Sequence, residues 1–461
     1  MNLKSLFLTR ENMALAVDLY ELTMAAAYFD NGITYRSTFD LFIRKLPPNR
    51  GYLIAAGLEQ VVHYLVNLRF SPEHIRFLRE HPIFRNVSDD FFEYLRGFRF
   101  TGDLRAIPEG ELVFPDEPIL SVTAPIIEAQ IVETYLLSVI NYQTMVATKA
   151  SRVVLAARGR GVVDFGSRRA HGPQAGILAA RASYIGGCYG TSNVLAGYEL
   201  GIPIVGTVAH SWNMTFDSEM ESFISYHKVF PDNTILLIDT YDTIEGAKKA
   251  IKIGPDLKGV RIDSGDLLRL SREVREILDS SGMGHVKIVA SGDLNEYKIE
   301  ELLRNGAPID LFGVGTEMVT SRDEPTLSAV YKLVEQDRGG RGIPKMKLSD
   351  EKVTYPGRKQ VYRQRDERGK FKQDIICRAD EKLEGETLLV EVMKGGGLCY
   401  ELPPIDRIRE RAMRNLADLP DQYKRLIDPE EYPVLRSRGL EEFRRETEER
   451  ILRTEIIDED E

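Results

Sequence analysis

Six short apolar segments in the middle of the chain each end in a polar or glycine-rich stop. They are residues 161–166 (GVVDFG), 202–210 (IPIVGTVAH), 234–240 (TILLIDT), 259–266 (GVRIDSGD), 286–293 (VKIVASGD) and 309–316 (IDLFGVGT). Stretches typical of helices lie between them, for example 173–200, 264–281 and 295–306. Buried apolar strands that alternate with helices indicate βαβ units and a parallel sheet. Six such units in this span favour a barrel over an open sheet.

Polar side chains occupy the ends of these predicted strands. In parallel barrels the catalytic groups lie at the carboxyl ends of the strands. In this chain those ends carry Asp164, Thr207, His210, Asp239, Asp263, Ser291, Asp293 and Thr316. Closing the sheet would bring these side chains to one edge, so the sequence predicts a functional site there.

The rest of the chain predicts a second domain. A length of 461 residues exceeds one ordinary domain. In the N-terminal part, the patterns predict helices over 18–29 and 53–68 and a strand over 37–43. A short β-like piece follows at 111–114.

The barrel pattern stops near residue 325. After it, residues 338–343 (RGGRGI) predict a loop or flexible turn, short strand patterns lie on either side of it, and residues 404–452 are charged and helical. We therefore predict three segments: 1–120 as the N-terminal part of a second domain, 121–325 as the catalytic barrel, and 326–461 as the C-terminal part of the second domain with a charged helical tail.

The charge and cysteine content of the chain limit the classes of partner and compartment that we expect. The formal net charge is -10, from 71 acidic and 61 basic residues, which argues against a nucleic-acid-binding surface. Cys188, Cys377 and Cys399 form no C-x-x-C pair, so we expect no structural zinc and a reducing compartment. The N-terminal residues show no signal-peptide pattern, and no apolar run reaches the ~18 residues of a membrane span. We expect a cytoplasmic protein without a membrane partner.

The motif RIDSGD at 261–266 places a cation and carboxylates around one strand end. A carboxylate at this position can hold ribose hydroxyls, a Mg²⁺ ion or a developing positive charge. The alternative is local: Asp263 or Ser264 could cap the next helix. Capping accounts for one of these residues but not for Arg261 as well, so the pattern favours a functional site.

Two short turns, SGD at 291–293 and GVGT at 313–316, follow the last two strands of the pattern. Backbone N–H groups at such strand-to-helix turns bind phosphate well, and barrels often place a phosphate site after their late strands. Ordinary tight turns also use glycine, which is the competing interpretation. Two such turns in succession favour a phosphate site.

His210 lies just past a predicted strand, and the DFGSRR motif at 164–169 combines an aromatic ring with two guanidinium groups. A histidine among acidic residues can act as a base, an acid or a phosphoryl acceptor. An aromatic heterocycle can stack on Phe165 while one of the two arginines pairs with a carboxylate or phosphate. The alternatives are a structural histidine, and a core phenylalanine beside a surface arginine pair.

Together these motifs resemble the nicotinate phosphoribosyltransferase family. The similar segments are 18–25 (DLYELTMA), 164–173 (DFGSRRAHGP), 190–197 (GTSNVLAG), 206–211 (GTVAHS), 261–267 (RIDSGDL) and 315–334 (GTEMVTSRDEPTLSAVYKLV). They cover residues 18–334 in the family's order, while the C-terminal 100 residues or so resemble it only loosely.

The resemblance implies a fold and a reaction. The fold is an incomplete parallel α/β (TIM-like) barrel with an α/β sandwich domain built from both chain ends, the type II phosphoribosyltransferase fold. The reaction joins nicotinate to 5-phosphoribosyl 1-diphosphate and gives nicotinate mononucleotide and diphosphate, the first step of NAD salvage from nicotinate. The family couples it to ATP hydrolysis through a phosphohistidine, uses Mg²⁺, and forms homodimers with shared active sites.

The resemblance also implies residue roles. His210 would be the phosphorylated histidine, with Arg261, Asp263 and Asp239 as further catalytic residues and the two aspartates as Mg²⁺ or ribose ligands. Phe165 would stack on the pyridine ring, and Tyr20 of the partner subunit would cover its other face. The remaining substrate-binding residues would be Arg168, Ser192, Thr207, Ser291, Gly292, Asp293, Gly313, Gly315, Thr316, Arg44 and Lys332.

Ser192 bears on the choice of base. The similar nicotinamide enzyme carries an aspartate here, which can accept from an amide and repels a carboxylate, whereas a serine hydroxyl can donate to a carboxylate. The residue favours nicotinate. The alternatives are a nicotinamide or quinolinate phosphoribosyltransferase, a different sugar-phosphate-binding barrel enzyme such as an aldolase or isomerase, and a binding protein without activity. No lysine lies within the strand-end stops, which counts against a Schiff-base aldolase.

Overall fold

The computed structural model describes residues 6–349 and 354–457, with the side chains of 456 and 457 left out. Residues 1–5 of the segment searched for a signal peptide, and residues 458–461 at the end of the predicted tail, lie outside the described residues. The chain divides into two compact units: Met1–Thr144 together with Thr326–Glu461, and Met145–Pro325. We call them the first and the second unit.

The strands of both units have the following bounds. In chain order they are β1 Arg36–Ile43, β2 Leu53–Ile54, β3 Asp103–Ala106, β4 Leu112–Val113, β5 Leu120–Pro125, β6 Gly161–Asp164, β7 Gly190–Thr191, β8 Ile235–Leu237, β9 Gly259–Ile262, β10 Lys287–Ala290, β11 Leu311–Val314, β12 Ala329–Arg338, β13 Arg341–Pro344, β14 Lys359–Arg365, β15 Phe371–Arg378, β16 Glu386–Thr387, β17 Val390–Lys394, β18 Gly397–Leu398 and β19 Val434–Arg436.

The α-helices are distributed over both units as well. In chain order they are α1 Leu19–Asp30, α2 Leu58–Asn67, α3 Pro72–Glu80, α4 Asp89–Arg96, α5 Ile126–Ile131, α6 Glu133–Ala156, α7 Pro173–Ile185, α8 Val194–Leu200, α9 His210–Met214, α10 Glu219–Val229, α11 Thr243–Ala250, α12 Leu267–Ser280, α13 Glu296–Arg304, α14 Thr316–Val319, α15 Ile405–Asp418 and α16 Arg438–Leu452. In the described part of the chain, none of them is both long and apolar enough to span a bilayer.

The first unit is built from both ends of the chain. Its seven-stranded sheet has the order β13-β12-β1-β5-β3-β17-β18, and its neighbouring strands run antiparallel. A four-stranded sheet, β16-β14-β15-β19, and the pair β2-β4 complete it. Because β12 pairs with β1 and β17 pairs with β3, neither chain end could form this sheet alone.

The predicted domain boundary after residue 120 needs correction. β5 lies between β1 and β3 in the seven-stranded sheet, and the chain leaves the first unit only after Thr144, within α6. The predicted boundary falls inside β5, after its first residue, Leu120. The second division falls after Pro325.

Two local predictions in the first unit also need correction or refinement. The predicted helix 53–68 begins as β2, which pairs with β4, and α2 starts only at Leu58. Gly57 separates the two with a φ of +109°, and a Cβ there would lie 3.0 Å from the Val139 side chain. The loop or flexible turn predicted at 338–343 is a tight turn at Gly339 and Gly340, and the residues on either side belong to a hairpin in which Arg338 of β12 pairs with Arg341 of β13.

The second unit contains a six-stranded parallel sheet with the order β7-β6-β11-β10-β9-β8. Five of the predicted apolar segments contain its strands β6, β8, β9, β10 and β11. The segment 202–210 does not form a strand and contributes only an isolated bridge between Ile204 and Thr191.

β7 was missed because it lies inside the stretch 173–200, which reads as one helix. The helix ends at Ile185, where Gly186 packs so tightly that a Cβ would lie 2.3 Å from the carbonyl oxygen of Ala147. Gly187 then adopts a φ of +104°, which favours glycine and turns the chain into β7. A strand of two residues has no periodicity from which it could be predicted.

The sheet of the second unit is strongly curled. Residues 203–205 extend its β7 edge, since Thr191 N–H donates to the Pro203 carbonyl and Val205 N–H donates to Thr191. In a flat sheet this segment would lie roughly 24 Å from β9, five strand spacings away. Yet Arg261 of β9 donates to the Val208 carbonyl at 3.2 Å. The sheet is therefore an incomplete barrel, with its β8 and β7 edges unpaired with each other among the described residues.

A buried ionic cluster fixes one of the loops at the carboxyl ends of this sheet. Lys149 Nζ lies 2.6 Å from Glu296 and 2.8 Å from Asp323, and Arg152 Nε lies 3.1 Å from Glu296. Both cations and Glu296 are buried. Removing one member would leave a buried charge uncompensated, at a cost of about 3–5 kcal/mol. Glu296 begins α13, so the cluster holds the turn between β10 and α13.

Candidate active site

A cavity of about 420 Å³ lies at the carboxyl ends of the parallel strands, within the second unit. We call the last residues of β9, β10 and β11 and the residues that follow these strands the paired wall, because they belong to or extend from hydrogen-bonded strands, and we call residues 206–210 the edge wall. The lining consists of Phe165, Arg168, Arg169, Ser192, Gly206, Thr207, Val208, Ala209, His210, Arg261, Asp263, Ser291, Gly292, Asp293, Leu294, Gly313, Gly315 and Thr316.

The centre of the paired wall is an ionic group of three side chains. Arg261 Nη2 lies 3.2 Å from Asp263 Oδ1, Arg261 Nε donates to Ser291 Oγ at 3.1 Å, and the Ser291 hydroxyl donates to Asp263 Oδ1. Burial by itself would raise the pKa of Asp263, but the Ser291 hydrogen bond and the Arg261 charge outweigh it and lower that pKa. The cavity therefore holds a carboxylate that stays ionised at neutral pH.

Asp239 supports the Arg261–Asp263–Ser291 group through hydrogen bonds to the loop after β9. Its Oδ2 accepts from the Asp263 backbone N–H at 2.9 Å and from the Ser264 hydroxyl at 2.7 Å, so it fixes the loop after β9. Its Oδ1 is buried and has no hydrogen-bond partner among the described residues. The helix cap of α12 is Asp266, which accepts from Arg269 N–H. Neither Asp263 nor Ser264 is the cap, which removes that alternative for Asp263.

Two glycines at the ends of β10 and β11 allow close approach of neighbouring groups. Gly292 has a φ of +98°, and a Cβ there would lie 2.0 Å from the Asp263 carbonyl oxygen. Asp293 follows with a φ of +48°. A Cβ on Gly313 would lie 2.3 Å from the Phe165 ring. Glycine at 292 is thus required by the close approach of two backbone segments, and glycine at 313, within β11, by the contact with the Phe165 ring. Backbone N–H groups at strand-to-helix turns such as 291–293 suit an anion.

The edge wall is attached to the rest of the site through side chains. Arg261 Nη1 donates to Thr207 Oγ1 and to the Val208 carbonyl. His210, the first residue of α9, directs Nε2 towards Asp263 Oδ2 at 3.8 Å, while its Nδ1 lies 3.2 Å from Thr240 Oγ1. His210 is 40% exposed at the side chain, which leaves the ring accessible from the cavity.

The third side of the cavity comes from the ends of β6 and β7. Asp164 is fully buried and accepts from the Thr191 hydroxyl and the Gly166 N–H, both at 2.8 Å. Burial raises the pKa of Asp164, against the effect of these two hydrogen bonds. Its partners fix the turn that presents Phe165, whose ring centroid lies 5.9 Å from the Arg261 guanidinium.

Most of the predicted site residues meet here. Those that line the cavity are Phe165, Arg168, Ser192, Thr207, His210, Arg261, Asp263, Ser291, Gly292, Asp293, Gly313, Gly315 and Thr316. Asp239 is next to the cavity and holds its wall. The prediction did not include Arg169, Gly206, Val208, Ala209 or Leu294 as lining residues. Adjacency to Arg168 and Thr207 is the signal that could have indicated most of them.

Three predicted residues belong to the first unit. Tyr20, on α1, is 45% exposed. Lys332, on β12, lies near Glu133, whose pKa its charge lowers against a larger rise from burial. Arg44 acts in the same way on Asp116. Within the first unit, each of these two cations has an acidic neighbour.

A protein-only metal cage is not part of this site. The described residues contain no group of three or more His, Cys, Asp or Glu side chains arranged to hold a metal ion. Mg²⁺ in phosphate-handling enzymes usually takes one or two carboxylates and completes its shell with water and substrate oxygens. Asp263, with Oδ2 facing the cavity, and Asp239, with an unpartnered Oδ1, fit that smaller donor set.

A curled parallel sheet with polar side chains around a cavity at its carboxyl ends defines the class: an α/β-barrel protein with the site position that is usual for enzymes of this fold. Family models give the particular family. Residues 15–141 match the nicotinate phosphoribosyltransferase N-terminal domain, 161–360 the nicotinate phosphoribosyltransferase family, and 381–444 its C-terminal domain. The chain belongs to the nicotinate phosphoribosyltransferase family of enzymes.

Individual relatives agree along nearly the whole chain. Nicotinate phosphoribosyltransferase pncB2 of Mycobacterium tuberculosis is 46% identical over 429 residues, covering 91% of each chain. The Bacillus subtilis nicotinate phosphoribosyltransferase is 39% identical over 458 residues, 92% of this chain and 93% of the relative. The crystal structure of human nicotinic acid phosphoribosyltransferase superimposes with a TM-score of 0.83 at 29% identity, covering 93% of this chain and 99% of the human chain.

Proposed function

We propose that this enzyme joins nicotinate to 5-phosphoribosyl 1-diphosphate, giving nicotinate mononucleotide and diphosphate, and that it couples the reaction to ATP hydrolysis through phosphorylation of His210. The reaction would be the first step of NAD salvage from nicotinate. The observation that carries the proposal is the single cavity in which His210, the Arg261–Asp263–Ser291 group and the glycine turns face one another.

The glycine turns suit the 5-phosphate. Gly292 and Asp293 lie in the turn after β10, and Gly315 follows β11, whose Gly313 also lines the cavity, with Thr316 at the start of α14. Backbone N–H groups and the Thr316 hydroxyl can donate to phosphate oxygens without adding a bulky side chain. The phosphoribosyl group would then extend from these turns towards Asp263.

Asp263 faces the reacting carbon in this arrangement. The pyridine nitrogen of nicotinate attacks ribose C1 with its lone pair, the C1–O bond breaks, and diphosphate leaves with the bonding electrons. The transition state has oxocarbenium character, as in glycoside cleavage. An ionised carboxylate nearby stabilises the positive charge, and the lowered pKa of Asp263 keeps it ionised. Because the pyridine nitrogen is already nucleophilic, no general base is needed.

Mg²⁺ fits the remaining donors. Asp263 and Asp239 would hold it, and the ion would supply electrostatic stabilisation of the leaving diphosphate. Arg44 and Lys332 of the first unit are further candidates for contact with the diphosphate. Ser291 and Arg261 keep Asp263 oriented while it faces the substrate.

Nicotinate has an aromatic face and a carboxylate, and the β6–β7 side of the cavity offers partners for both. Phe165 provides the ring for stacking, and Arg168 and Arg169 provide cations. Thr207, which is held by Arg261, lies across the cavity on the edge wall. Ser192 can donate its hydroxyl to the carboxylate, whereas an aspartate there would repel it.

His210 would accept the γ-phosphoryl group of ATP and release it to water during the catalytic cycle. Its ring is accessible from the cavity, and its Nδ1 is held by Thr240, so Nε2 is the nitrogen that faces the substrates. Asp263 lies near Nε2, so the phosphorylation site and the ribose site are adjacent. That proximity supports coupling between the two reactions.

A homodimer would complete the site. Tyr20 of the partner subunit would cover the second face of the pyridine ring. On α1, Leu19 and Tyr20 are exposed apolar side chains, and the second unit exposes Val194, Leu195 and Tyr198 on α8. Two apolar faces of this kind are typical of surfaces that become buried on association. We also propose a reducing compartment, the cytoplasm, which is compatible with the three free cysteines.

The choice of base is tested by competition. The purified enzyme is incubated with equimolar nicotinate, nicotinamide and quinolinate, and the mononucleotides are separated. We expect nicotinate mononucleotide to dominate, and Ser192→Asp to reduce nicotinate use about tenfold by charge repulsion while Ser192→Ala reduces it less. Exclusive use of nicotinamide by the unaltered enzyme would refute the choice of the acid.

The histidine role is tested separately. We expect His210→Ala to abolish stimulation by ATP and to retain slow ATP-independent synthesis, because the mutation removes the phosphoryl acceptor but leaves the Asp263 group. His171→Ala, a change to a histidine outside the cavity lining, is the control. Full acceleration of the His210→Ala enzyme by ATP would show that phosphorylation of this residue is not the coupling step.

A further inference from the structure

Behind His210 lies a buried polar network that the proposed reaction does not use directly. Asn213 and Ser222 are both completely buried. The Asn213 amide Nδ2 donates to Thr240 Oγ1 at 2.7 Å and to the Leu237 carbonyl at 2.8 Å, and its Oδ1 accepts from the Ser222 hydroxyl at 3.0 Å. Every polar atom of the Asn213 side chain is thus engaged, which fixes its orientation.

The network ends at the histidine ring. Thr240 Oγ1 accepts a hydrogen bond from the Asn213 amide and lies 3.2 Å from His210 Nδ1. On the other side of the ring, Nε2 lies 3.8 Å from Asp263, beyond hydrogen-bonding distance. The contact at Nδ1 is therefore the hydrogen bond that sets the ring plane, and Nε2 is left turned towards the cavity.

The location of the network explains why the site would need it. His210 is the last residue of the edge wall and the first residue of α9. The isolated bridge at Ile204 is the nearest strand pairing to the edge wall. Thr240 follows β8, at the opposite edge of the open sheet. The Asn213–Thr240 contacts span the gap between the two edges, where a strand ladder would otherwise fix the position of the residues.

We propose that Thr240, held by Asn213, is a positioning residue that orients the His210 ring for phosphoryl transfer and so links ATP use to the open edge of the barrel. The proposal rests on the proposed function, since it assumes that His210 is the phosphoryl acceptor. The Thr240 hydroxyl acts on the ring and does not touch the substrates. Its loss should misdirect Nε2, and a displacement of about 1 Å at a reacting atom can reduce a rate about a hundredfold.

The test compares three single substitutions in the full-length enzyme. Thr240→Val removes the hydroxyl and keeps the shape, and Thr240→Ser keeps the hydroxyl. Thr215→Val removes a hydroxyl that donates to the nearby Ser211 carbonyl on an exposed face. The rate of acid-labile phosphate incorporation from γ-labelled ATP is measured in single turnover. The ratio of ATP-stimulated to ATP-independent synthesis is measured in parallel.

We expect Thr240→Val to slow phosphate incorporation at least about tenfold and to lower the stimulation ratio, with Thr240→Ser restoring both. Thr215→Val should match the unaltered enzyme. Incorporation by Thr240→Val at the unaltered rate would overturn the positioning role. Equal losses in Thr240→Val and Thr240→Ser would also overturn it, because the hydroxyl would then not be the cause.

A second measurement separates this proposal from the histidine role itself. The ring nitrogens of the seven histidines are observed by ¹⁵N NMR, with the His210 signals assigned from His210→Ala. If the unaltered enzyme takes up no phosphate, the proposed histidine role fails, while the spectra still report on the ring. We expect the His210 nitrogen shifts to change in Thr240→Val and to return in Thr240→Ser. Unchanged shifts in Thr240→Val would refute positioning by Thr240.

Discussion

The paired wall and the edge wall face the same cavity but are built differently. On the paired wall, Asp263 and Ser291 follow directly from strands that are hydrogen-bonded on both sides. On the edge wall, residues 206–210 follow an isolated bridge and are held by side chains from elsewhere. Arg261 contacts both walls, donating to Ser291 on one and to Thr207 and Val208 on the other.

The two walls carry groups with different roles in the proposed reaction. The groups that the proposed reaction needs in fixed positions, the carboxylate and the phosphate turns, lie on the rigid paired wall. The residue proposed to change its covalent state, His210, lies on the edge wall, where a few side-chain hydrogen bonds set its position. The position of His210 therefore depends on side-chain hydrogen bonds from Thr240 and Asn213 and not on a strand ladder.

The largest effect is expected from the residue that joins the two walls. Arg261→Ala should lower kcat/KM for mononucleotide synthesis roughly a thousandfold, about 4 kcal/mol, because it leaves Asp263 without its cation and releases Thr207 and Val208. Arg269→Ala, on the exposed face of α12 where Arg269 pairs with Glu273, is the matched control. A loss below tenfold would mean that the walls are held together without Arg261.

A change confined to the paired wall should have the next largest effect. We expect Asp263→Asn to lower both ATP-stimulated and ATP-independent synthesis roughly a hundredfold, since the charge that stabilises the transition state is lost in both. Asp266→Asn, three residues further on, should retain activity because asparagine also caps a helix. If Asp263→Asn affected only the ATP-stimulated rate, Asp263 would serve the histidine rather than the ribose.

Alanine substitutions at two glycines test how well each wall tolerates an added Cβ. Gly292→Ala, on the paired wall, places a Cβ 2.0 Å from a backbone oxygen at a φ of +98°, and should lower kcat/KM for 5-phosphoribosyl 1-diphosphate about tenfold through backbone strain. On the edge wall, a Cβ at Gly206 would meet nothing within 4 Å, so Gly206→Ala should cost less. The reverse order of effects would contradict the proposed phosphate turn.

The smallest expected effect is on stability and its pH dependence. Asp263→Asn should destabilise the protein by about 1–3 kcal/mol at pH 7 through loss of charged hydrogen bonds. Because the folded pKa of Asp263 lies below its usual value of 3.8, this stabilisation is present above pH 5 and disappears as the pH falls through the lowered pKa. Thermal melts of both proteins from pH 8 to 3 measure the difference. A difference that vanishes between pH 8 and 6 would show a raised pKa instead.

The paired wall could be predicted well from the sequence and the edge wall only in part. Asp263, Ser291 and Thr316 end clear apolar segments, and the pattern that predicts a buried parallel strand also predicts the side of the sheet on which its last residues lie. His210 was predicted for the right region, but through a strand at 202–210 that does not form. The supporting residues Thr240 and Asn213 carry no local signal, since they resemble ordinary turn and helix residues.

The local amino-acid pattern therefore determines the alternation of strands and helices, the glycines at positive φ and the placement of carboxylates at strand ends. These features depend on neighbours within a few residues. Other features depend on long-range packing, which brings together segments far apart in the chain. They are the curl of the sheet, the contact of Arg261 with Val208 and the hydrogen bond from Asn213 to Thr240. The physical reason is that side-chain hydrogen bonds between distant segments form only after the sheet has curled, and nothing in either segment alone specifies its partner.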